Sequence, residues 1–219
     1  MNNSKSLSLR VTVILIIIVI MVMEGFGQVI KTIQLPSPQT DDGMPLMKAL
    51  KERQTSRDFS DKKLNDQQIS NLLWAAWGIN RPAAKKRTAP SSMNRQEIDV
   101  YVFMADGFCV YNAEKNALDQ ISTEDVRVKT GKQDFVKTAP VVLVFVADYL
   151  KMGKSTDQEK AVTSNTDAAF ISENVYLFCA SEGLATGVRA YIDMEELHKA
   201  LNLKPDQHVT LAQCVGYPK

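Results

Sequence analysis

Between Ala139 and Ala147 the chain runs Val141-Val142-Leu143-Val144-Phe145-Val146, six consecutive apolar residues with no polar alternation. A strand wetted on one face alternates, whereas one covered on both faces reads as a continuous apolar run. The run therefore predicts the central strand of a sheet buried on both sides. Thr166 to Ser181 supplies one cover, a helix on which Ala168, Ala169, Ile171, Val175, Tyr176, Leu177 and Ala180 occupy most of the circumference. Such a helix calls for burial by the sheet and by a second subunit.

The remaining elements follow from local signals. Leu46, Met47 and Leu50 give Met44 to Arg53 helical spacing. Asn65 and Gln68 form a capping-box pattern before Ile69, Leu72, Leu73 and Trp77, and Gly78 ends that helix. Ile98 to Met104, the turn Ala105-Asp106-Gly107 and Phe108 to Tyr111 predict a hairpin. A long polar connection joins Ile79 to Gln96, and Ala117 to Gln133 is polar with one short helical candidate at Ser122 to Val126. Ala185 to Tyr191 and His208 to Val215 read as strands, with a helix capped by Asp193 running to Leu203 between them. This order predicts an α+β fold, a mainly antiparallel central sheet flanked by helices on both sides, in one domain over residues 44–219.

The N-terminus belongs to another regime. Lys5 and Arg10 precede an apolar run from Val11 to Met23, followed by the small-residue stretch Gly25-Phe26-Gly27. This is the pattern of a secretory signal peptide over residues 1–27, and the run is shorter than the roughly 20 residues of a membrane-spanning helix. The expectation is export to the periplasm, with a membrane anchor if cleavage fails. Residues 28–43 read as an extended arm of a kind that can wrap a partner subunit. Beyond residue 27 there remain 24 basic and 24 acidic side chains, a balance that argues against nucleic acid or an anionic membrane as the main partner. Cys109, Cys179 and Cys214 are spaced for neither zinc nor a disulfide framework, and His198 and His208 lack ligand spacing, so no metal is expected.

Two segments carry chemistry. Arg53-Gln54-Thr55-Ser56-Arg57-Asp58-Phe59 brings two guanidinium groups and a hydroxyl together where a helix gives way to a loop, a combination suited to a phosphate. In Pro90-Ser91-Ser92-Met93-Asn94-Arg95-Gln96, Pro90 restricts a loop rich in hydroxyl and amide groups, suited to a polar heteroaromatic ring or a polyol chain. In this order and separation the two segments resemble the flavin-binding segments of the FMN-dependent nitroreductase family. The resemblance extends from Met44 to Pro218. It implies FMN as cofactor, its phosphate held by Arg53, Gln54, Thr55 and Arg57. Ring and ribityl contacts are implied for Pro90, Ser91, Ser92, Asn94 and Gln96. It further implies a homodimer with FMN at the interface, a small organic substrate such as a nitroaromatic or quinone, and NAD(P)H as the usual electron donor.

The departures from the family pattern are specific. Thr55 stands where Ser is commoner, Gln54 where Arg is frequent, and Glu97 where Pro often follows the second segment. Gly183-Leu184-Ala185-Thr186-Gly187 resembles a segment at which the family's backbone approaches the flavin ring, with Ala185 and Ala190 in place of glycines. Arg189 then serves either as a positive charge near the ring or as a surface ion-pair residue. Lys219 either replaces a basic segment that contacts the phosphate in relatives or leaves that contact unmade. Trp74-Ala75-Ala76-Trp77-Gly78-Ile79 looks like the azoline dehydrogenase subgroup, although the Ser92 and Asn94 loop keeps the other form. The functional expectation is an FMN-dependent oxidoreductase transferring hydride through flavin N5, with no catalytic side chain demanded; the alternative is an exported flavin carrier without turnover.

Overall fold

The apolar run does form the middle of a sheet. In the computed structural model, which describes residues 28–219, Val141 to Ala147 are all at most 2% exposed. The export signal read over residues 1–27 lies outside the described residues. Chain order gives β1 (Lys31–Gln34), α1 (Leu46–Glu52), α2 (Asp66–Trp77), β2 (Ile79–Arg81), β3 (Lys86–Arg87), β4 (Ile98–Met104), β5 (Gly107–Asn112), β6 (Ala117–Ser122) and β7 (Val141–Asp148). α3 (Asp157–Glu182), β8 (Ala185–Arg189), α4 (Met194–Ala200) and β9 (Gln207–Gly216) complete it. Seven strands form one sheet in the order β1-β6-β5-β4-β7-β9-β8, while β2 and β3 make a separate small ribbon. Every neighbouring pair of the large sheet is antiparallel.

Alternation along β7 divides the core. Leu143 and Phe145 pack with Leu72 and Leu73 of α2 and Ile171 and Val175 of α3. Val142, Val144 and Val146 face the other way, against Leu197 of α4, Leu201 and Val136. The α+β architecture with helices on both faces is therefore the one the sequence predicts. The hairpin is present as well, and Gly107 takes φ 123°, which favours glycine.

Several boundaries differ for physical reasons. The helical candidate at Ser122 to Val126 is instead the last residue of β6 and a loop that leads into a 3-10 turn at Arg127–Thr130. β6 pairs with both β1 and β5, so its backbone is satisfied on each side, and Asp119, which made it look like a loop, accepts from Thr32 Oγ1 at 2.6 Å and Asn112 Nδ2 at 3.0 Å. Within the stretch read as an arm, β1 adds to the edge of the chain's own sheet. The polar connection after Ile79 contains β2, β3 and two short 3-10 turns. α3 starts well before Thr166, because Thr156 and Glu159 form a capping box whose polar first turns precede the apolar stretch. On α1 the expected apolar side chains face outward: Leu46, Met47 and Leu50 are exposed and Ala49 is buried. Cys109, Cys179 and Cys214 are free and buried, and burial pushes the Cys109 thiol up to about 11. Among the described residues no helix is long and apolar enough to cross a membrane.

Candidate functional site

The segment after α1 wraps around the free edge of β8. Ser56 N donates to Thr186 O at 2.9 Å, and Phe59 bridges to Pro218 before packing in the core. Gly187 lies under this crossing: a Cβ there would stand 3.3 Å from Ser56 O and 3.4 Å from both Arg57 Cγ and Thr55 Cγ2. That is tight enough for a larger residue to displace the segment. Tyr176 of α3 fixes it from the other side. Its hydroxyl lies 2.9 Å from Thr55 Oγ1 and accepts from Val188 N at 3.0 Å, while Arg53 lies over its ring at 5.2 Å. Thr55 and Arg57 are exposed, and neither Arg53 nor Arg57 has a carboxylate partner among the described residues. Two unpaired guanidinium groups beside a hydroxyl form a receptive anion site. Gln54 is exposed beside them and lines, with Lys48, Ser56 and Thr186, a cleft of about 460 Å³. Lys219 N bonds to Asp58 O at 3.3 Å, so the C-terminal residue lies alongside the same segment.

The second segment is a constrained loop. Met93, Asn94 and Gln96 have φ of 54°, 54° and 50°, a left-handed conformation that costs non-glycine residues energy and persists only where surroundings enforce it. Gln96 provides much of that enforcement. Its Oε1 accepts from Arg87 Nε at 2.9 Å, its Nε2 donates to Lys85 O at 2.9 Å and Asn94 Oδ1 at 3.1 Å, and its backbone N–H donates to Ser91 Oγ at 3.0 Å. Its amide thus shapes the loop. Arg87, anchored on Trp77 O at 2.9 Å and 5.0 Å from the centre of the Trp77 ring, is the brace beneath it; burial lowers its pKa. Pro90, Met93 and Asn94 are exposed, and Ser91 and Ser92 half-buried.

Helix α3 carries both segments. Ser92 N donates to Asp167 Oδ2 at 2.8 Å, just as Thr55 meets Tyr176. Asp167 and Tyr176 are nine residues apart in α3, about two and a half turns and roughly 13 Å along its axis. The two segments therefore dock on opposite flanks of one helix. Beneath the loop, Glu97 is fully buried, and its carboxyl is pushed up to about 7 by burial and by neighbouring Asp167.

Arg189 corrects one reading: it is not a surface ion-pair residue. It is 6% exposed, with Nη1 donating to Thr130 O and Nη2 to Thr130 Oγ1 at 3.0 Å. Ala185 is buried and Ala190 exposed. A cavity of about 500 Å³ lies apart from both segments, lined by Ile33, Leu64, Met104, Leu118 and Val141 among others, and contains none of their residues. Sequence reasoning missed Tyr176, Asp167, Arg87 and the seat under Gly187. The available signal was a hydroxyl and a carboxyl set into a helix otherwise read as apolar.

Comparison with known proteins bears on this arrangement. The family described as the nitroreductase family matches residues 50–217. A curated protein of Methanocaldococcus jannaschii, provisionally named a nitroreductase, is 26% identical over 184 residues, which cover 79% of this chain and 91% of that protein. A solved structure from Ralstonia eutropha with a similar provisional name is 37% identical, superposes with TM-score 0.83, and covers 89% of this chain and 93% of its own. Another, from Desulfovibrio desulfuricans and solved in complex with FMN, is 21% identical with TM-score 0.57, over 82% of this chain and 88% of its own.

Proposed function

This chain belongs to the nitroreductase family, and from that premise we propose that it is an FMN-dependent oxidoreductase acting on a small organic acceptor such as a nitroaromatic or a quinone. One observation carries the reading. Two unpaired guanidinium groups and a hydroxyl lie on one flank of α3, and a strained loop of hydroxyl and amide groups on the other. These residues fit FMN, a molecule with an anion at one end and a polar ring at the other. Arg53, Thr55 and Arg57, with Gln54 alongside, would hold the phosphate. Ser91, Ser92 and Asn94 would address ring and ribityl on the loop that Pro90 and Gln96 shape. Buried Arg189 adds fixed positive charge to the sheet face on which Gly187 also lies. When bound, FMN supplies two-electron hydride transfer at its ring N5, and the protein supplies binding, orientation and electrostatics.

Opposite flanks of one helix cannot both face one small ligand, so the reading requires two copies of the chain. Each copy would give the phosphate cradle of one site and the loop of the other. The exposed apolar side chains of α1 and those of α3, Val162 and Phe170, support such a contact. Export is also part of the proposal, resting on Lys5, Arg10 and the Val11 to Met23 run. NAD(P)H is the donor if the protein stays in the cytoplasm; after export, a membrane quinol or the substrate itself takes that role. Fractionation with mass determination of the N-terminus tests the compartment: a start near Gln28 outside the cytoplasm is expected, and intact Met1 in the soluble cytoplasmic fraction would contradict it.

A further inference from the structure

Glu97 has no role in holding phosphate or ring, yet it is the residue that follows Gln96 directly into the core. It is fully buried immediately before β4, and neither of its carboxyl oxygens meets a hydrogen-bond donor in good geometry. Asp167, another buried carboxyl, 3% exposed, neighbours it and opposes its ionisation. Asp167 in turn accepts the Ser92 N–H at 2.8 Å, the one tether between the loop and α3. Two neighbouring carboxylates buried together disfavour a doubly charged state, and a single proton between them turns repulsion into a hydrogen bond.

The charges around the pair are few. Arg95 from the loop favours the ionised form of Glu97, as does the Glu97 backbone N–H, while burial and Asp167 oppose it. On the β4 and β7 side, Asp148 N donates to Glu97 O, and Asp99 is paired with Lys151 at 3.3 Å. From α2, Trp77 Nε1 donates to Ile98 O, and Arg87 is taken up by Trp77 O and Gln96. No cation closes on the pair itself among these.

We propose that Glu97 and Asp167 share one proton, and that this proton holds the Ser91–Gln96 loop in its flavin-binding shape, coupling FMN affinity to the protonation of Glu97. The inference rests on the flavin reading of that loop. Glu97 is a positioning residue: it acts on Asp167, Asp167 on the Ser92 amide, and the amide on the Ser92 end of a loop whose other end is held by Gln96 and Arg87. Loss of the proton sets two negative charges against each other. The Ser92 tether then loosens, and the flavin-facing end of the loop relaxes.

The test is FMN titration of the full chain between about pH 5.5 and about pH 8.5, beside Glu97→Gln, whose amide keeps a permanent donor for Asp167. The phosphate monoester of FMN titrates near pH 6 and tightens binding to arginine as pH rises, so the difference between the two proteins is the readout. Wild type is expected to lose roughly tenfold in affinity relative to Glu97→Gln across neutral pH. Asp167→Asn, which keeps an acceptor for Ser92 without the charge, removes the repulsion and is expected to abolish that loss as Glu97→Gln does. Flavin bound with identical pH profiles in wild type and Glu97→Gln would overturn the proposal alone. Absence of FMN binding in every form and at every pH would overturn the flavin reading with it.

Discussion

At the scale of residues, the account separates groups that meet a ligand from groups that hold others in place. Arg57 is exposed and unpaired, so Arg57→Ala should lower FMN affinity by about 1.5–3 kcal/mol, the worth of charge-assisted hydrogen bonds, with little change in melting temperature. An unaltered dissociation constant would remove it from the site. Gly187→Ala tests the seat beneath it. The new methyl would press on Ser56 O and Arg57 Cγ, so FMN binding should weaken while the unliganded fold persists; flavin titration beside thermal melting would show both. Glu97 adds a dependence of stability on pH. Its folded pKa of about 7 stands above the usual value of 4.5, so the folded state binds the extra proton between those values. Stability is then highest below the unfolded value and falls as pH rises through the folded one, by an amount on the order of 1–3 kcal/mol. Melting curves across that window should show the fall in wild type and its loss in Glu97→Gln. The guanidinium and hydroxyl groups of the site were legible in the sequence, because each segment carries them within a few residues. Tyr176 and Asp167 were not, because they meet Thr55 and Ser92 across long stretches of chain, and Arg87 was not, because its bracing role depends on how the loop folds back over Trp77.

At the scale of elements, the sequence was most legible where burial is complete. The strand at Val141, the capping box at Asn65 and the turn at Gly107 each follow from one unambiguous local signal. β6 was hidden because an inner strand at the wetter end of a sheet can carry Asp and Gln, each answered by a neighbour. The early start of α3 was hidden because its first turns are polar. Thr156 Oγ1 accepts the Glu159 N–H there while Glu159 accepts in return, which holds the Glu159 carboxyl below the usual range. Thr156→Ala should therefore cost about 1 kcal/mol in chemical denaturation, a typical N-cap loss. The same helix gives the proposed dimer its test. Phe170→Glu combined with Leu50→Glu places charge on exposed apolar positions of α3 and α1, and sedimentation should then give a monomer with weakened FMN binding. A double variant that stays dimeric with flavin bound would place the contact elsewhere.

At the scale of the whole molecule, one helix separates the two candidate segments, and the proposed flavin chemistry needs both together. The first segment lines a cleft of about 460 Å³, whereas the cavity of about 500 Å³ lies away from both segments. A ligand spanning two copies stabilises only the associated form, so holo protein should sediment as a dimer and melt higher than apo protein, increasingly so with added FMN. The most direct measurement is a flavin turnover experiment on the purified chain: bind FMN, reduce it, and follow its absorbance after adding a nitroaromatic or a quinone. The account predicts tight binding at one flavin per chain and prompt reoxidation that consumes the acceptor. Bound flavin that cycles with no acceptor consumed, or a chain that binds no FMN, would contradict it.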